Sequence, residues 1–430
     1  MDALPHSARF RLHTSESLRL YQFSLIVIDM ILRETYLAQL RQLKDQDLIK
    51  VATGVRRCGK STLLEQFRDE LLVSGVEPAC IIFLNFEKLE MEELTDYKAL
   101  YAYLTKKLHP HAMNYIFLDE IQKVEEFEKV VDSLQVKKNV DLYITGSNAF
   151  MLSGDLATLL SGRYISINVQ PFSFQEYVAA FADVTNEITQ DRLFAQYLDS
   201  SSMPRAVTLS RQAPDMVNTY LRDVSDTVIY KDIAKRHKIR SLTNLERTIQ
   251  FLLSSVGSTV SSTRIAEKLG NMSHSTVINY IEYLTKAYLF YRVQRYDIKG
   301  KRLLQTNEKY YVVDLGLRNI LLSESLGADR GHKLENAVYL ELLRRGGEVW
   351  VGKNKEKEVD FLVQQSSGKR AYYQVAYTVA ETDTLKRELA PLQSLRDDYP
   401  KYLITTDYGT EDYQGIPHLN AVDWFLGKSG

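Results

Sequence analysis

Residues Gly54-Val55-Arg56-Arg57-Cys58-Gly59-Lys60-Ser61-Thr62 constrain the fold more than any other stretch of the chain. Two glycines five positions apart let the backbone turn tightly, so that successive N–H groups point at one anion. The lysine and hydroxyl that follow supply a cation for phosphate and an oxygen for a divalent metal. The flanks agree: Leu48–Thr53 is a short β-rich run, and residues 61–72 form a helix-compatible run. The loop therefore opens a helix, whose N-terminus favours negative charge. This predicts an ATP site with Lys60 on the β/γ-phosphates and Ser61 on Mg2+.

Tyr115–Leu118 is an apolar run ending in Asp119 and Glu120. Such a run suits a parallel strand buried on both faces. Asp119 at its end is placed to hold Mg2+, and Glu120 to polarise an attacking water. A third run, Val140–Thr145, ends in Gly146, Ser147 and Asn148; this polar pair could orient the water or touch the γ-phosphate. With Ile81–Phe86 as a further strand, the β-α-β-α rhythm from 31 to 178 implies an α/β fold, an open parallel sheet with ligands at its carboxyl end.

The chain has 430 residues, 45% hydrophobic and 25% charged, enough for roughly three domains. With a formal net charge of -1, any nucleic-acid surface must be local. Two cysteines, Cys58 and Cys80, imply no disulfide framework and a reducing, cytoplasmic home. No run reaches the ~18 uninterrupted apolar residues of a membrane span. Residues 1–30 read as an N-terminal extension.

Residues 179–240 are mainly helical and end in a basic cluster, Lys235, Arg236, His237, Lys238 and Arg240, which reads as a solvated helix end or a nucleic-acid contact. Residues 241–325 read as a winged helix. Leu245–Val256 and Ser262–Leu269 are helices, Ser273 caps a third from His274 to Ala287, and a hairpin turns at Lys299, Gly300, Lys301 and Arg302. The basic turn would be the wing tip, able to lie against the phosphates of double-stranded DNA. The third helix carries few cations, so a protein partner suits the module as well. Residues 326–430 alternate helix and strand: a helix over Leu334–Arg345, strands at Val349–Val351, Glu358–Val363, Tyr372–Ala376 and Lys401–Thr405, and a short helix Thr384–Ala390 ended or kinked by Pro391.

The chain resembles the bacterial and archaeal AAA-type P-loop ATPases that carry a C-terminal domain of unknown function. The likeness is carried, from about residue 31 onward, by the 54–62 loop, Phe117–Gln122, Thr145–Ser147, Ser161–Arg163, Pro171–Phe174, Met203-Pro204, Tyr311–Gly316, Leu334–Asn336, Glu358–Phe361 and Tyr373–Ala376. It implies an ATPase core (31–178), a helical lid segment (179–240), the winged helix (241–325) and a restriction-endonuclease-like PD-(D/E)xK domain (326–430).

The resemblance makes Arg163 the candidate to stabilise charge on the γ-phosphate, in cis or from a neighbouring subunit of a homo-oligomer. It places Arg205 where a lid arginine approaches nucleotide. Arg56 and Arg57 are left between phosphate and a neighbour. A nuclease of the C-terminal fold needs an acid on a helix, an acid on a strand and then acid-x-lysine. Glu335 and Asp360 fit the first two positions, but the third reads Gln374-Val375-Ala376, with Lys353 or Lys355 left to supply a displaced amine. The expectation is a degenerate nuclease-like domain that binds rather than cuts. The whole reads as an Mg2+-dependent ATPase whose hydrolysis moves the C-terminal modules. An ATP-regulated nuclease and a nucleotide-switched DNA-binding regulator are the alternatives.

Overall fold

A computed structural model describes residues 31–147, 162–182, 188–270, 272–322, 329–409 and 411–428. The expected extension 1–30 and Asn148 lie outside them. Helix α1 (Glu34–Leu43) leads into a parallel sheet of β1 (Ile49–Thr53), β2 (Ile81–Asn85), β3 (Asn114–Asp119), β4 (Val140–Gly146) and β5 (Tyr164–Asn168). Their order is β2-β3-β4-β1-β5. β1 and β3 are buried along their whole length, as parallel strands covered on both faces must be.

One face carries an aromatic ladder. Phe83, Phe117 and Tyr143 are register partners on β2, β3 and β4, with ring centroids 5.7 and 4.8 Å apart. Phe67 of α2 (Lys60–Val73) closes over it. The other face is covered by Leu100 and Leu104 of α3 (Tyr97–Lys107) and by Val130, Val131 and Leu134 of α4 (Phe127–Gln135). Because β4 lies between β1 and β3, the carboxyl ends of three strands stand side by side, and the phosphate loop, Asp119 and Thr145 all emerge there.

A helical stretch follows: α5 (Phe174–Ala180), α6 (Gln190–Asp199), α7 (Pro204–Gln212), α8 (Val217–Asp226) and a π-helix, Thr227–Lys235. Next come α9 (Leu242–Ser254), α10 (Ser262–Leu269) and α11 (His274–Lys286). The Ser273 side chain accepts from Thr276 N and caps α11. The hairpin is β6 (Phe290–Asp297) and β7 (Arg302–Val312), and α12 (Leu315–Leu322) and α13 (Arg330–Arg344) complete the turn into the last sheet.

The expected boundary at 325/326 does not separate two sheets. β6 pairs in parallel with β8 (Glu348–Asn354), Arg295–Asp297 against Val351–Lys353. The hairpin thereby joins β9 (Lys357–Gln364), β10 (Arg370–Val375), β11 (Lys401–Thr405) and β12 (His418–Asn420) in one sheet, ordered β12-β11-β10-β9-β8-β6-β7. A second difference concerns Pro391, which does not end its helix: α14 runs Thr382–Gln393. Leu389 and Leu392 both sit in the core beneath the sheet, and that burial holds the last turn in place. A short helix, α15 (Ala421–Phe425), closes the chain. Among the described residues no helix is long and apolar enough to cross a membrane.

Candidate functional site

The loop leaves β1 at Gly54, whose φ is 143°. A Cβ there would lie 2.1 Å from the Val169 carbonyl oxygen, so only glycine fits. Gly59, at φ 101°, forms the turn into α2. Val55 and Cys58 are fully buried, so they can face a phosphate only through their backbones. Lys60 is the first residue of α2, and its Nζ donates to Gly54 O at 3.1 Å and Val55 O at 3.2 Å. The ammonium thus lies curled against its own loop, on acceptors that phosphate oxygens could replace. Ser61 and Thr62 follow it, half-buried, in the first turn.

Asp119 ends β3 fully buried. It accepts from Thr145 Oγ1 at 2.6 Å, from Asn85 Nδ2 at 2.7 Å, and from the Ser61 hydroxyl. Burial pushes its carboxyl above the usual range, against the pull of these donors. A carboxylate beside a serine hydroxyl is an all-oxygen donor set of the kind Mg2+ takes, so the residues fit that ion. Glu120 stands in the left-handed region at φ 55°. Its N–H donates to Thr145 Oγ1 at 2.8 Å, and its carboxylate accepts from Ser147 Oγ and Gln122 Nε2, each at 2.5 Å. The structure therefore brings Lys60, Ser61, Asp119, Glu120 and Ser147 together, with Ser147 on Glu120. The sequence reading gave neither Asn85 nor Thr145 a role at the site. Each sits at a strand end beside Asp119, Asn85 as its register partner, a neighbourhood visible only once strand order is known.

The loop's arginines diverge. Arg56 pairs with Asp232 of the π-helix at 2.9 and 3.0 Å and lies 3.5 Å from Glu87. Arg57 is exposed at φ 69°, and so is Arg205 at the start of α7. Both act electrostatically on Tyr220 of α8, whose hydroxyl is buried with no hydrogen-bond partner among the described residues.

Arg33, absent from the sequence reading, is the loop's support. It is 2% exposed. Its guanidinium donates to Cys58 O at 2.9 Å, Gln170 O at 2.6 Å and Glu176 Oε1 at 2.8 Å. Glu176 is itself fixed by a capping box with Ser173. Nothing in the local sequence around Arg33 signals this role.

Arg163 is not at the loop. It immediately precedes β5, and its carbonyl accepts from Ile49 N at the start of β1. Five residues of strand, roughly 16 Å, separate it from the sheet's carboxyl end. It pairs with Asp132 at 3.0 Å, both half-exposed. That position is at the opposite end of the sheet from the phosphate loop.

The C-terminal candidates do converge. Glu335 of α13 and Asp360 of β9 face a common point, and Lys309 of β7 occupies it. Its Nζ lies 2.9 Å from Glu335 Oε1, 3.0 Å from Glu358 Oε1 and 3.5 Å from Asp360 Oδ1. Gln374 is engaged elsewhere: its Oε1 accepts from Asp360 N at 3.4 Å and its Nε2 donates to Glu388 at 2.9 Å. The amine is thus neither Lys353, late in β8, nor Lys355, exposed in the turn after it. These residues do not fit a divalent metal, because an ammonium already fills the seat. Among the described residues no group of three or more His, Cys, Asp or Glu side chains could hold one.

Residues 46–178 match the family described as an AAA domain, and residues 191–327 a domain of unknown function (DUF8612). The chain is 39% identical over 404 residues to an uncharacterized protein of Haemophilus influenzae, covering 92% of this chain and 99% of that one. It is 28% identical over 369 residues to the uncharacterized protein MJ1544 of Methanocaldococcus jannaschii, covering 81% and 79%. Among solved structures, Cdc6p from Pyrobaculum aerophilum aligns at TM-score 0.31 and 12% identity over 68% of this chain and 94% of that one, a likeness too slight to carry an argument. The chain belongs to the same family as the Haemophilus influenzae protein, with an AAA-type P-loop ATPase domain over residues 46–178.

Proposed function

We propose that the protein binds ATP with Mg2+ at the 54–62 loop, hydrolyses it, and passes the nucleotide state to the helices that follow. The carrying observation is Glu120, fixed by Ser147 and Gln122 beside Asp119 and next to the loop. Lys60 would exchange its two loop carbonyls for phosphate oxygens, and the loop N–H groups would hold the same anion. Ser61 and Asp119 would hold Mg2+, which when bound neutralises charge on the β- and γ-phosphates. Glu120 would take a proton from the attacking water. Ser147 or Asn148 would sense the γ-phosphate. Arg57, Arg205 and Tyr220 are the remaining candidates to face the phosphates. Arg163 would serve a neighbouring subunit, which makes a homo-oligomer part of that option. Cys58 and Cys80 are free and buried, in keeping with the proposed cytoplasmic home. A nucleotide titration tests the binding step: Lys60→Ala should abolish tight ATP binding, and retained affinity would contradict the assignment.

A second reading, contact with double-stranded DNA, rests on the exposed cations Lys299, Lys301 and Arg302 at the hairpin turn. The exposed face of α11 offers His274, Ser275, Ile278, Asn279 and Glu282, the last paired with Lys286, so the cations for phosphate contact come mainly from the hairpin turn. Neutralising the three cations should weaken DNA binding and flatten its salt dependence. Unchanged binding would leave a protein partner as the reading for this module.

A further inference from the structure

We infer that Lys309 is a built-in cation standing where a divalent metal would sit in the C-terminal domain, closing its carboxylate site and tying the hairpin to that domain. The inference is independent of the ATPase reading. Three acids from two elements converge on one ammonium: Glu335 from α13, and Glu358 and Asp360 from β9. The ammonium arrives from β7, on the far side of the expected module boundary. Its side chain is only 4% exposed.

Bare carboxylates packed this closely need a counter-charge, because burying like charges together is costly. Lys309 supplies it, and the acids hold the amine protonated far above its ordinary range even though burial opposes them. Of the other oxygens, Asp360 Oδ2 accepts from Val375 N at 2.9 Å, while Tyr311 Oη donates at 2.6 Å to Glu335 Oε1, the oxygen Lys309 already contacts. Thr259 Oγ1 donates to Glu358 Oε2 at 3.3 Å. Burial, joined by the charge of Glu335, pushes the Asp360 carboxyl above its usual range, against the pull of Lys309.

Mg2+ held between Glu335 and Asp360 would need carboxylate oxygens at ~2.0–2.1 Å while keeping several waters. An ammonium in contact with both denies it charge and room. With Ala376 in place of the expected lysine, the amine beside these acids is Lys309, and it stands in the metal seat. What remains is a salt-bridged joint that makes β6, β7, α13 and β9 one body.

Mn2+ binding to the full, nucleotide-free chain, followed by electron paramagnetic resonance, tests this. Wild type and Asp360→Asn should bind Mn2+ equally. Lys309→Ala should gain one Mn2+ site, lost again in Lys309→Ala/Asp360→Asn. A wild-type site that disappears in Asp360→Asn would overturn the inference, as would a folded Lys309→Ala that gains none. If Lys309→Ala does not fold, the comparison of wild type with Asp360→Asn decides alone: equal binding supports the closed site and unequal binding refutes it.

Discussion

Arg56, two residues into the phosphate loop, forms a two-pronged ion pair with Asp232 of the π-helix, at 2.9 and 3.0 Å. The loop is therefore mechanically joined to a segment whose helical geometry is uncommon and often found at functional sites. Both side chains are largely buried, so the pair is better screened from solvent than a surface bridge.

This pair should change strength with the nucleotide. A double-mutant cycle of Arg56→Ala and Asp232→Ala, read by urea denaturation, should give a coupling of about 0.5–3 kcal/mol without ligand. ATP and Mg2+, added in the Glu120→Gln background, should shift that coupling. A coupling that ignores ligand would remove this pair as the link between loop and helices.

Arg33 should be a stability residue. Arg33→Ala leaves Glu176 buried without its cation and two carbonyls, Cys58 O and Gln170 O, without their donor. Urea denaturation should show a loss of about 3–5 kcal/mol, with ATP binding weakened because the loop loses its support. A loss below ~1 kcal/mol, the scale of an exposed pair, would contradict the role.

The His332–Asp329 pair at the start of α13 predicts a pH window. The Asp329 hydrogen bond raises the imidazole above its ordinary value, against burial. Burial would raise Asp329, but His332 and Arg318 outweigh it and hold that carboxyl low. The raised histidine contributes stability that is present below ~6.5 and lost as pH climbs through its folded pKa. The lowered aspartate contributes stability present above ~3.9 and lost on acidification. His332→Gln should therefore cost more at roughly pH 5.5 than at roughly pH 8.5. Equal costs in denaturation at the two pH values would rule the pair out as the source.

Arg163 should be dispensable within one subunit. Arg163→Ala removes a half-exposed pair with Asp132, worth ~0–1 kcal/mol. ATP turnover at low protein concentration should change by less than ~2-fold, well under the ~10³-fold or more typical of an arginine finger. A loss of that size, appearing only as protein concentration rises, would return Arg163 to the site as a residue acting on a neighbour.

The nucleotide side of the molecule was legible because its residues lie close in sequence. Gly54 to Thr62, Asp119 to Glu120 and Thr145 to Ser147 each end a strand, and strand ends are marked by local pattern. Arg33 was not legible. Its partners Cys58, Gln170 and Glu176 lie 25, 137 and 143 residues away, and no periodicity connects them. Lys309 was hidden for the same reason. It lies in β7, 26 residues before Glu335 and 51 before Asp360, across a boundary drawn from element pattern that the β6–β8 pairing bridges. Arg163 was read from its place after the β4 strand in sequence, whereas β5, parallel to β1, begins at the sheet's amino end with Arg163 just before it.

The most direct measurement is steady-state ATP hydrolysis by wild type and Glu120→Gln in Mg2+ buffer. The account predicts Mg2+-dependent turnover that falls at least ~10²-fold in the variant, the scale of losing a general base, while ATP binding persists. Turnover indifferent to Glu120 would contradict it.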